Sequence, residues 1–300
     1  MKTSLLALSV LACLAAPSAW AATPINETRP LSARGHVEID NLKGRIQVRV
    51  WDKSEVGITG SLGNGVEKLI VEGGGDNLVV RVKYPERNHG WGSDRSEPTT
   101  LLLNVPTLAS LDISSVSADI DVSGTAGREL DIDTVSGDVV AIGAPSEADV
   151  ESVSGDVRLT LNSPDVSAQS VSGEVTLLGR LGGEVDIETV SGSIHVDSKD
   201  QRLRKLSSNS VSGDATIRGN LADGGKLGAE SVSGNITVTM PRTLSARVTG
   251  ESFSGNLEAP GAEIIKTKYG PGSNFEHRYG NGSGEIRIET FSGNGELKFN

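Results

Sequence analysis

The stretch Glu184–Val196 reads E-V-D-I-E-T-V-S-G-S-I-H-V, and it decides how the fold is interpreted. Two apolar residues lie two positions apart, and a hydroxyl residue and Val-Ser-Gly follow them. Two more alternating apolar residues come after the glycine. This repeat motif recurs along most of the chain. The central residues of its copies are Val116, Val135, Val153, Val171, Val190, Val211, Val232, Phe253 and Phe291.

The spacing of these centres is nearly constant. Successive centres are 18–21 residues apart, except for a final step of 38 residues. A fixed period near 20 residues is typical of a solenoid or an array. The final step is about twice the ordinary one, so we predict a degenerate copy within it. Ala118 stands where the other copies have glycine.

On both sides of each centre the apolar residues alternate with period two. Leu130 and Ile132 precede one centre, and Val157 and Leu159 follow the next. This alternation predicts short strands with one buried face. The phase of the alternation changes across Val-Ser-Gly, where glycine permits a sharp bend. Each motif is therefore predicted to be two strands joined at a corner.

A single repeat of this kind cannot be stable alone. Its few apolar side chains stabilise less than the backbone entropy of about 20 ordered residues costs. Stacked neighbours must supply the remainder through hydrogen bonds between strands and a shared core. The sequence therefore predicts an all-β fold, a parallel β-helix (β-solenoid) of about ten coils of 18–21 residues. Irregular N-terminal strands would form its cap.

The chain begins like a secretory protein. An apolar run at 5–16 is followed by the small-residue cleavage site Ala19-Trp20-Ala21. We predict a signal peptide at 1–21. A lipoprotein alternative would use Cys13, the only cysteine, but it would cut the apolar run short.

We divide the remaining chain into two parts. Residues 22–98 are predicted to hold the first coil and an irregular β or capping region. In them Val37–Val48 matches the motif, and Trp51 is placed to cover the exposed end of the core. Residues 99–300 are predicted to be the regular β-solenoid, with an irregular loop at 258–284.

Two irregular segments carry residues that could form a site. The polar loop 85–98 holds His89, Trp91 and Asp94, and with one histidine we favour a surface loop. The loop 258–284 gathers scarce aromatic residues and is either a cap or a recognition loop. We favour a cap, because an open end exposes strand edges. Its notable residues are Tyr269, Gly270, Pro271, Phe275, His277 and Tyr279.

A hydroxyl residue precedes every centre of the motif. Stacking would place these hydroxyls in a column, where they could bond to one another along the stack. A row of nucleophiles is the alternative, but no histidine or lysine base recurs beside them. The residues are Ser115, Thr134, Ser152, Ser170, Thr189, Ser210, Ser231, Ser252 and Thr290.

Acidic residues recur in two further columns. Stacked carboxylates repel one another, and a divalent cation such as calcium would relieve the repulsion. Asp beside glycine also suits a turn for local reasons. The first column is Asp119, Asp138, Asp156, Glu174 and Asp214, and the second is Asp112, Asp131, Asp149 and Asp186. Calcium therefore remains a possible partner.

Composition and motifs argue against several functions. The formal net charge of −11 disfavours nucleic acid as a partner. No catalytic, cofactor-binding or metal-binding motif is present, and the four histidines at 36, 89, 195 and 277 are scattered. Aromatic residues make up 3% of the chain, which disfavours an extensive sugar-stacking surface. We predict that the protein is not an enzyme, and we assign no catalytic, cofactor-binding or metal-binding residues.

The repeated (S/T)-V-S-G-(D/E/N)-(V/I), flanked by V-x-I and V-x-L behind a signal sequence, resembles a known bacterial family. This is the adhesin-like family with β-strand repeats, a domain of unknown function akin to head-GIN domains. The resemblance covers about residues 35–300 and implies a β-helix-like fold in the cell envelope. The irregular stretch 54–98 departs from the family pattern. The family has no agreed catalytic residues, so none is transferred here.

The leading functional hypothesis is an exported, non-enzymatic β-solenoid that acts as an adhesin-like interaction or scaffold module. It would lie in the periplasm or at the cell surface and bind an unknown envelope protein or glycan. No transmembrane span is predicted in the mature chain. One alternative is a carbohydrate-active β-helix enzyme, a polysaccharide lyase or hydrolase. Another is a component of an envelope-stress sensor.

Overall fold

The computed structural model describes residues 23–85, 96–266 and 271–300. The predicted signal peptide at 1–21, with Cys13, lies outside these residues, and so do His89, Trp91, Asp94, Tyr269 and Gly270. The described part of the chain contains strands and no helix, which confirms the predicted all-β class.

The strands are numbered in chain order. They are β1 (Thr23–Trp51), β2 (Glu55–Leu62), β3 (Lys68–Lys83), β4 (Thr99–Pro106), β5 (Ser110–Thr125), β6 (Glu129–Ser136), β7 (Val139–Gly143), β8 (Glu147–Ser154), β9 (Val157–Leu161), β10 (Asp165–Ser172), β11 (Val175–Leu178), β12 (Glu184–Ser191), β13 (Ile194–Ser210), β14 (Ala215–Ser231), β15 (Ile236–Met240), β16 (Ala246–Ser252), β17 (Leu257–Glu258), β18 (Ile265–Lys266), β19 (Ser273–Tyr279), β20 (Gly284–Thr290) and β21 (Gly295–Phe299).

The strands before each motif centre form one parallel ladder. Leu130 of β6 pairs with Leu111 of β5 and with Ala148 of β8, so equivalent motif positions lie one above another. The same register continues through the middle of the molecule. There the ladder follows chain order: β5, β6, β8, β10, β12, β13 and β14.

The strands after each centre form a second parallel ladder. Val139 of β7 pairs with Ile120 of β5 and with Val157 of β9. The long strands β5, β13 and β14 contribute to both ladders. In the middle of the molecule the order is β5, β7, β9, β11, β13, β14 and β15.

The core lies between the two ladders. Leu130 and Ile132 point into it from β6, and Val139 and Ala141 point into it from β7; all four are fully buried. Every coil contributes such alternating residues, so the buried side chains form one continuous core along the stack.

The glycine of the motif makes the corner between the ladders. Gly155 has a φ of 129°, which a residue with a Cβ rarely adopts. A Cβ added there would lie 2.2 Å from the carbonyl oxygen of Gly137 in the coil below. The corner therefore needs glycine for the bend and also for the close approach of stacked backbones.

The N-terminal end departs from chain order. Residues 36–40 of β1 pair in parallel with β5 on one side and with β3 on the other. Residues 44–51 lie in the same way between β5 and β4. The coil of Val37–Val48 is thus first in the chain but second in the stack. Residues 23–30 and β2 then close this end with antiparallel pairing.

The C-terminal end shows the same interchange, so its coils do not stack in chain order. The last strands of the chain, β20 and β21, lie between β14 and β15 on one side and β16 and β17 on the other. The predicted degenerate copy before β20 is also wrong. In the described part of that interval β19 runs antiparallel to β16, and β18 pairs antiparallel with β19.

Aromatic side chains cover both ends. Trp51 donates from Nε1 to the carbonyl oxygen of Glu55 at 2.7 Å, and its ring lies against Gly57 of β2. At the other end Phe275 is 3% exposed and packs over Gly250. The ring of Tyr279 meets that of Phe299 edge-on at 5.2 Å. These contacts place aromatic side chains against both ends of the core.

Candidate functional site: an apolar groove with an acidic wall

The central residue of each motif lies on the surface. In β6 the alternation buries Ile132 and Thr134 and turns Asp133 and Val135 outward. Stacking repeats this in every coil, so the exposed central residues form an unbroken line, which we call the apolar ridge. Its members are 45–57% exposed. They are Val116, Val135, Val153, Val171, Val190, Val211, Val232, Phe291 and Phe253 in stack order.

A groove of about 1100 Å³ runs beside the apolar ridge. The ridge forms one wall, and the buried hydroxyl residues of the motif form the floor. At the C-terminal end Phe253 and Phe291 stack with centroids 4.7 Å apart, and Pro271–Asn274 close the groove.

The opposite wall carries carboxylates and amides, which we call the acidic row. Asp133 and Glu151 form no ion pair with any described residue, and Glu188 accepts a hydrogen bond from Asn209 at 3.2 Å. Towards the closed end Arg287 pairs with Glu289. The row, in stack order, is Asp133, Glu151, Gln169, Glu188, Asn209, Glu230, Glu289 and Glu251.

The negative charge extends outward from the acidic row. Asp131 and Asp149 of the second predicted column lie beside it, and they pair in register with each other. Burial raises the pKa of Asp131 to about 6, and repulsion from Asp133, Asp112 and Asp149 adds to the effect. Burial also raises the pKa of Asp112. Around β6 and β8 this sheet face is therefore strongly negative and short of cations.

The first predicted acidic column has a structural role. Asp138 accepts a hydrogen bond at 3.0 Å from the backbone N–H of Asp156, and Asp156 accepts one at 3.1 Å from that of Glu174. Asp214 receives the same bond from Asn235 at 2.8 Å. The bond from Glu174 lowers the pKa of Asp156, and Arg158 lowers it further. These carboxylates bond the turns of successive coils together.

The hydroxyl column differs from the expected ladder of mutually bonded side chains. Ser210 donates to the carbonyl oxygen of Gly213 at 3.3 Å, and Thr290 donates to that of Gly234 at 3.2 Å. The hydroxyls thus bond corner backbone rather than one another. Four of them have no partner among the described residues: Ser152, Ser170, Thr189 and Ser231.

The geometry adds nothing in favour of calcium. Within the described ranges no three histidine, cysteine, aspartate or glutamate side chains converge as a metal site would require. Of the residues singled out in the loop 258–284, Pro271 lines the closed end of the groove. His277 lies in the cap, where its ring is 4.6 Å from that of Tyr279.

Sequence reasoning found the repeat but missed the apolar ridge. The signal was available in the phase of the alternation. If Ile132 and Thr134 point inward, Val135 must point outward, and the same holds in every copy. The acidic row lies one outward position before the ridge, yet neither predicted acidic column contained it.

The fold and its repeat place the chain in a known family. Residues 28–298 match the model of the Toastrack DUF4097 family, and the chain belongs to it. This confirms the resemblance to an adhesin-like domain of unknown function. No curated protein matches the sequence.

Solved structures of low sequence identity resemble the chain. A proposed lipid-binding protein from Parabacteroides distasonis has a TM-score of 0.54 and 14% identity, covering 93% of this chain and 97% of that one. A proposed adhesin from Bacteroides fragilis has a TM-score of 0.44 and 14% identity, covering 93% of this chain and 97% of that one. Another proposed adhesin, from P. distasonis, has a TM-score of 0.40 and 13% identity, covering 93% of this chain and 98% of that one. The structure with the TM-score of 0.54 supports the fold.

No part of the described chain forms a helix long and apolar enough to cross a membrane.

Proposed function

We propose that this protein is an exported, non-enzymatic, adhesin-like interaction module of the bacterial cell envelope. It would hold its partner in the groove, at the periplasmic or outer surface. The observation that carries the proposal is the unbroken apolar ridge. Contiguous exposed apolar surface is uncommon on a protein without partners and often marks an interaction site.

The comparisons support this role without defining a ligand. The family is one of unknown function, and two of the similar structures carry the description of proposed adhesins. The chemistry of the groove agrees with binding rather than catalysis. Its floor has hydroxyls but no lysine or histidine among the lining residues that would activate them.

Binding of a lipid is a second candidate function. The similar P. distasonis structure is described as a proposed lipid-binding protein. An open apolar groove is also compatible with an acyl chain. The surrounding carboxylates disfavour lipids with anionic headgroups.

The test removes apolar character from the ridge while keeping its shape. The full chain carrying Val153→Thr, Val171→Thr and Val190→Thr is compared with the unaltered chain in pull-downs from native envelopes. The matched control is Ile142→Thr, because Ile142 is 48% exposed and lies outside the groove. We expect a retained envelope component to be lost from the triple variant and kept by the control. Equal retention by all three proteins would contradict the proposal.

A further inference from the structure

The groove presents two different chemistries in parallel lines. The apolar ridge forms one wall and the acidic row the other, and each continues from coil to coil. Asp133 and Val135 are two residues apart on one strand, so the two lines are separated by about 7 Å. An occupant that satisfies both must carry an apolar stripe with cations along one side of it.

We propose that the groove binds a basic amphipathic α-helix of about 25 residues, lying along the axis of the stack. Its apolar stripe rests on the ridge, and its lysine and arginine side chains face the acidic row. This inference rests on the proposed function and names the partner class for the same groove.

Charge complementarity selects a cationic partner. Asp133, Glu151 and Glu230 have no ion pair with any described residue, and the outward neighbours of the row around β6 and β8 are acidic as well. Asp133 pairs with Glu151 between these two strands, and beside that pair Asp131 pairs with Asp149 and Glu129 pairs with Glu147. Arg128 pairs with Glu129 at 3.2 Å, but this part of the surface is predominantly negative. Such a surface attracts cations and accelerates their association.

A helix fits the dimensions of the groove. Coils repeat about every 4.8 Å, so the ridge from Val116 to Phe253 is about 38 Å long. A helix covers that length with about 25 residues at 1.5 Å each. Its pitch of about 5.4 Å is close to the coil spacing, so a continuous apolar stripe of about seven turns lies along the nine ridge residues.

Other occupants satisfy only part of the groove. A second copy of this chain would bring two acidic surfaces together, which like charges oppose. A nucleic acid or an anionic lipid surface is repelled for the same reason. An acyl chain could cover the ridge, but it would leave the acidic row without a counter-charge.

The experiment uses a labelled 25-residue peptide with a leucine stripe at helical spacing and flanking lysines. Binding to the full chain is measured by fluorescence anisotropy, and helix formation by circular dichroism. Because the described protein is all-β, new helical ellipticity reports the bound peptide. We expect saturable binding that weakens with salt, a gain of helix, and weaker binding of a scrambled peptide of the same composition.

Two sets of variants locate the binding. Asp133→Asn, Glu151→Gln and Glu188→Gln neutralise the acidic row. Asp52→Asn, Glu72→Gln and Asp223→Asn change the net charge equally at exposed sites outside the groove. We expect the row variant to weaken binding about tenfold, as three exposed ion pairs imply, and the control by less than about twofold. Equal loss in both variants would overturn the proposal.

The outcomes separate this inference from the proposed function. If the ridge variant loses its envelope component but the peptide does not bind, the groove remains an interaction site and the helical partner is wrong. Ridge-dependent binding of the chain to phosphatidylcholine vesicles, with no peptide binding, would identify a lipid instead. Peptide binding without a gain of helix would also overturn the proposal.

Discussion

Two sets of stacked acidic residues, the first predicted column and the acidic row, look alike in sequence and differ in use. In the first column, Asp138 and Asp156 accept backbone N–H groups from the next coil. In the acidic row, Asp133 and Glu151 line a groove without forming ion pairs with described residues. A carboxylate with a fixed hydrogen bond contributes to the fold, whereas one without a partner is available to a ligand. The hydrogen bonding of a repeated residue, rather than its repetition, indicates its role.

The corner glycine lets the coils stack, and the stacking positions both sets of carboxylates. Replacing it should therefore have the largest effect on stability. In Gly155→Val the side chain would meet the carbonyl oxygen of Gly137 at 2.2 Å, at a φ of 129°. We expect a loss of about 3 kcal/mol or more in the free energy of unfolding, measured by urea denaturation. Gly228→Ala is the control, because nothing lies within 4 Å of its Cβ position. Equal stability of the two variants would contradict the stacked corner.

Removing a turn carboxylate should have an intermediate effect. Asp156→Ala deletes the acceptor for the N–H of Glu174 and the partner of Arg158. We expect a loss of about 1 kcal/mol near pH 7. Because the pKa of Asp156 is lowered, its contribution is present above the unfolded pKa of about 3.9 and is lost at lower pH. The difference in melting temperature between the two proteins should therefore shrink as the pH falls below about 3.9, and a constant difference would refute this role.

Replacing Asp131 should change the stability less than replacing Asp156, and it should raise the stability rather than lower it. Its pKa is raised to about 6, so the folded state favours the protonated form. The stability that this proton supports is complete below about pH 3.9 and is lost as the pH rises through 6. Asp131→Asn should therefore raise the melting temperature on the order of 1 °C at pH 7 and leave it unchanged at pH 4. A destabilised variant at pH 7 would show that the burial and repulsion of this carboxylate are misjudged.

The acidic row should contribute least to stability. Glu151→Gln with Glu188→Gln removes no ion pair with a described residue, and it relieves repulsion between neighbouring coils. The melting temperature at pH 7 should stay within about 1 °C of the unaltered protein or rise slightly. The Asp156→Ala variant is the reference for this measurement. If the row variant lost more stability than Asp156→Ala, the acidic row would have a structural role instead.

Much of the middle of the fold follows from the repeat motif. Alternation around Val135 predicts two strands, glycine predicts the corner, and the period predicts that equivalent positions stack. The order of the coils at the ends does not follow. Every copy offers nearly the same edge, so β14 can pair with β20 as well as with β16, and the local pattern does not select between them. Antiparallel strands such as β2 and β19 then complete the ends.

The site was predictable only in part. The phase of the alternation in β6 is enough to place Val135 on the surface. The different roles of Asp156 and Glu151 cannot be predicted from the sequence. They depend on where each carboxylate lies relative to the backbone N–H groups of the next coil. That relation exists only after the coils have stacked.

The most direct test of the groove as the interaction site places a photo-crosslinking amino acid at single positions in native envelopes. Val171 lies at the middle of the apolar ridge, and Ile142 is equally exposed on the other ladder, at 46% and 48%. We predict a discrete crosslinked product from position 171 that is absent from position 142 and lost when Val153 and Val190 are replaced by threonine. Equal products from both positions, or a product from position 142 alone, would contradict the account.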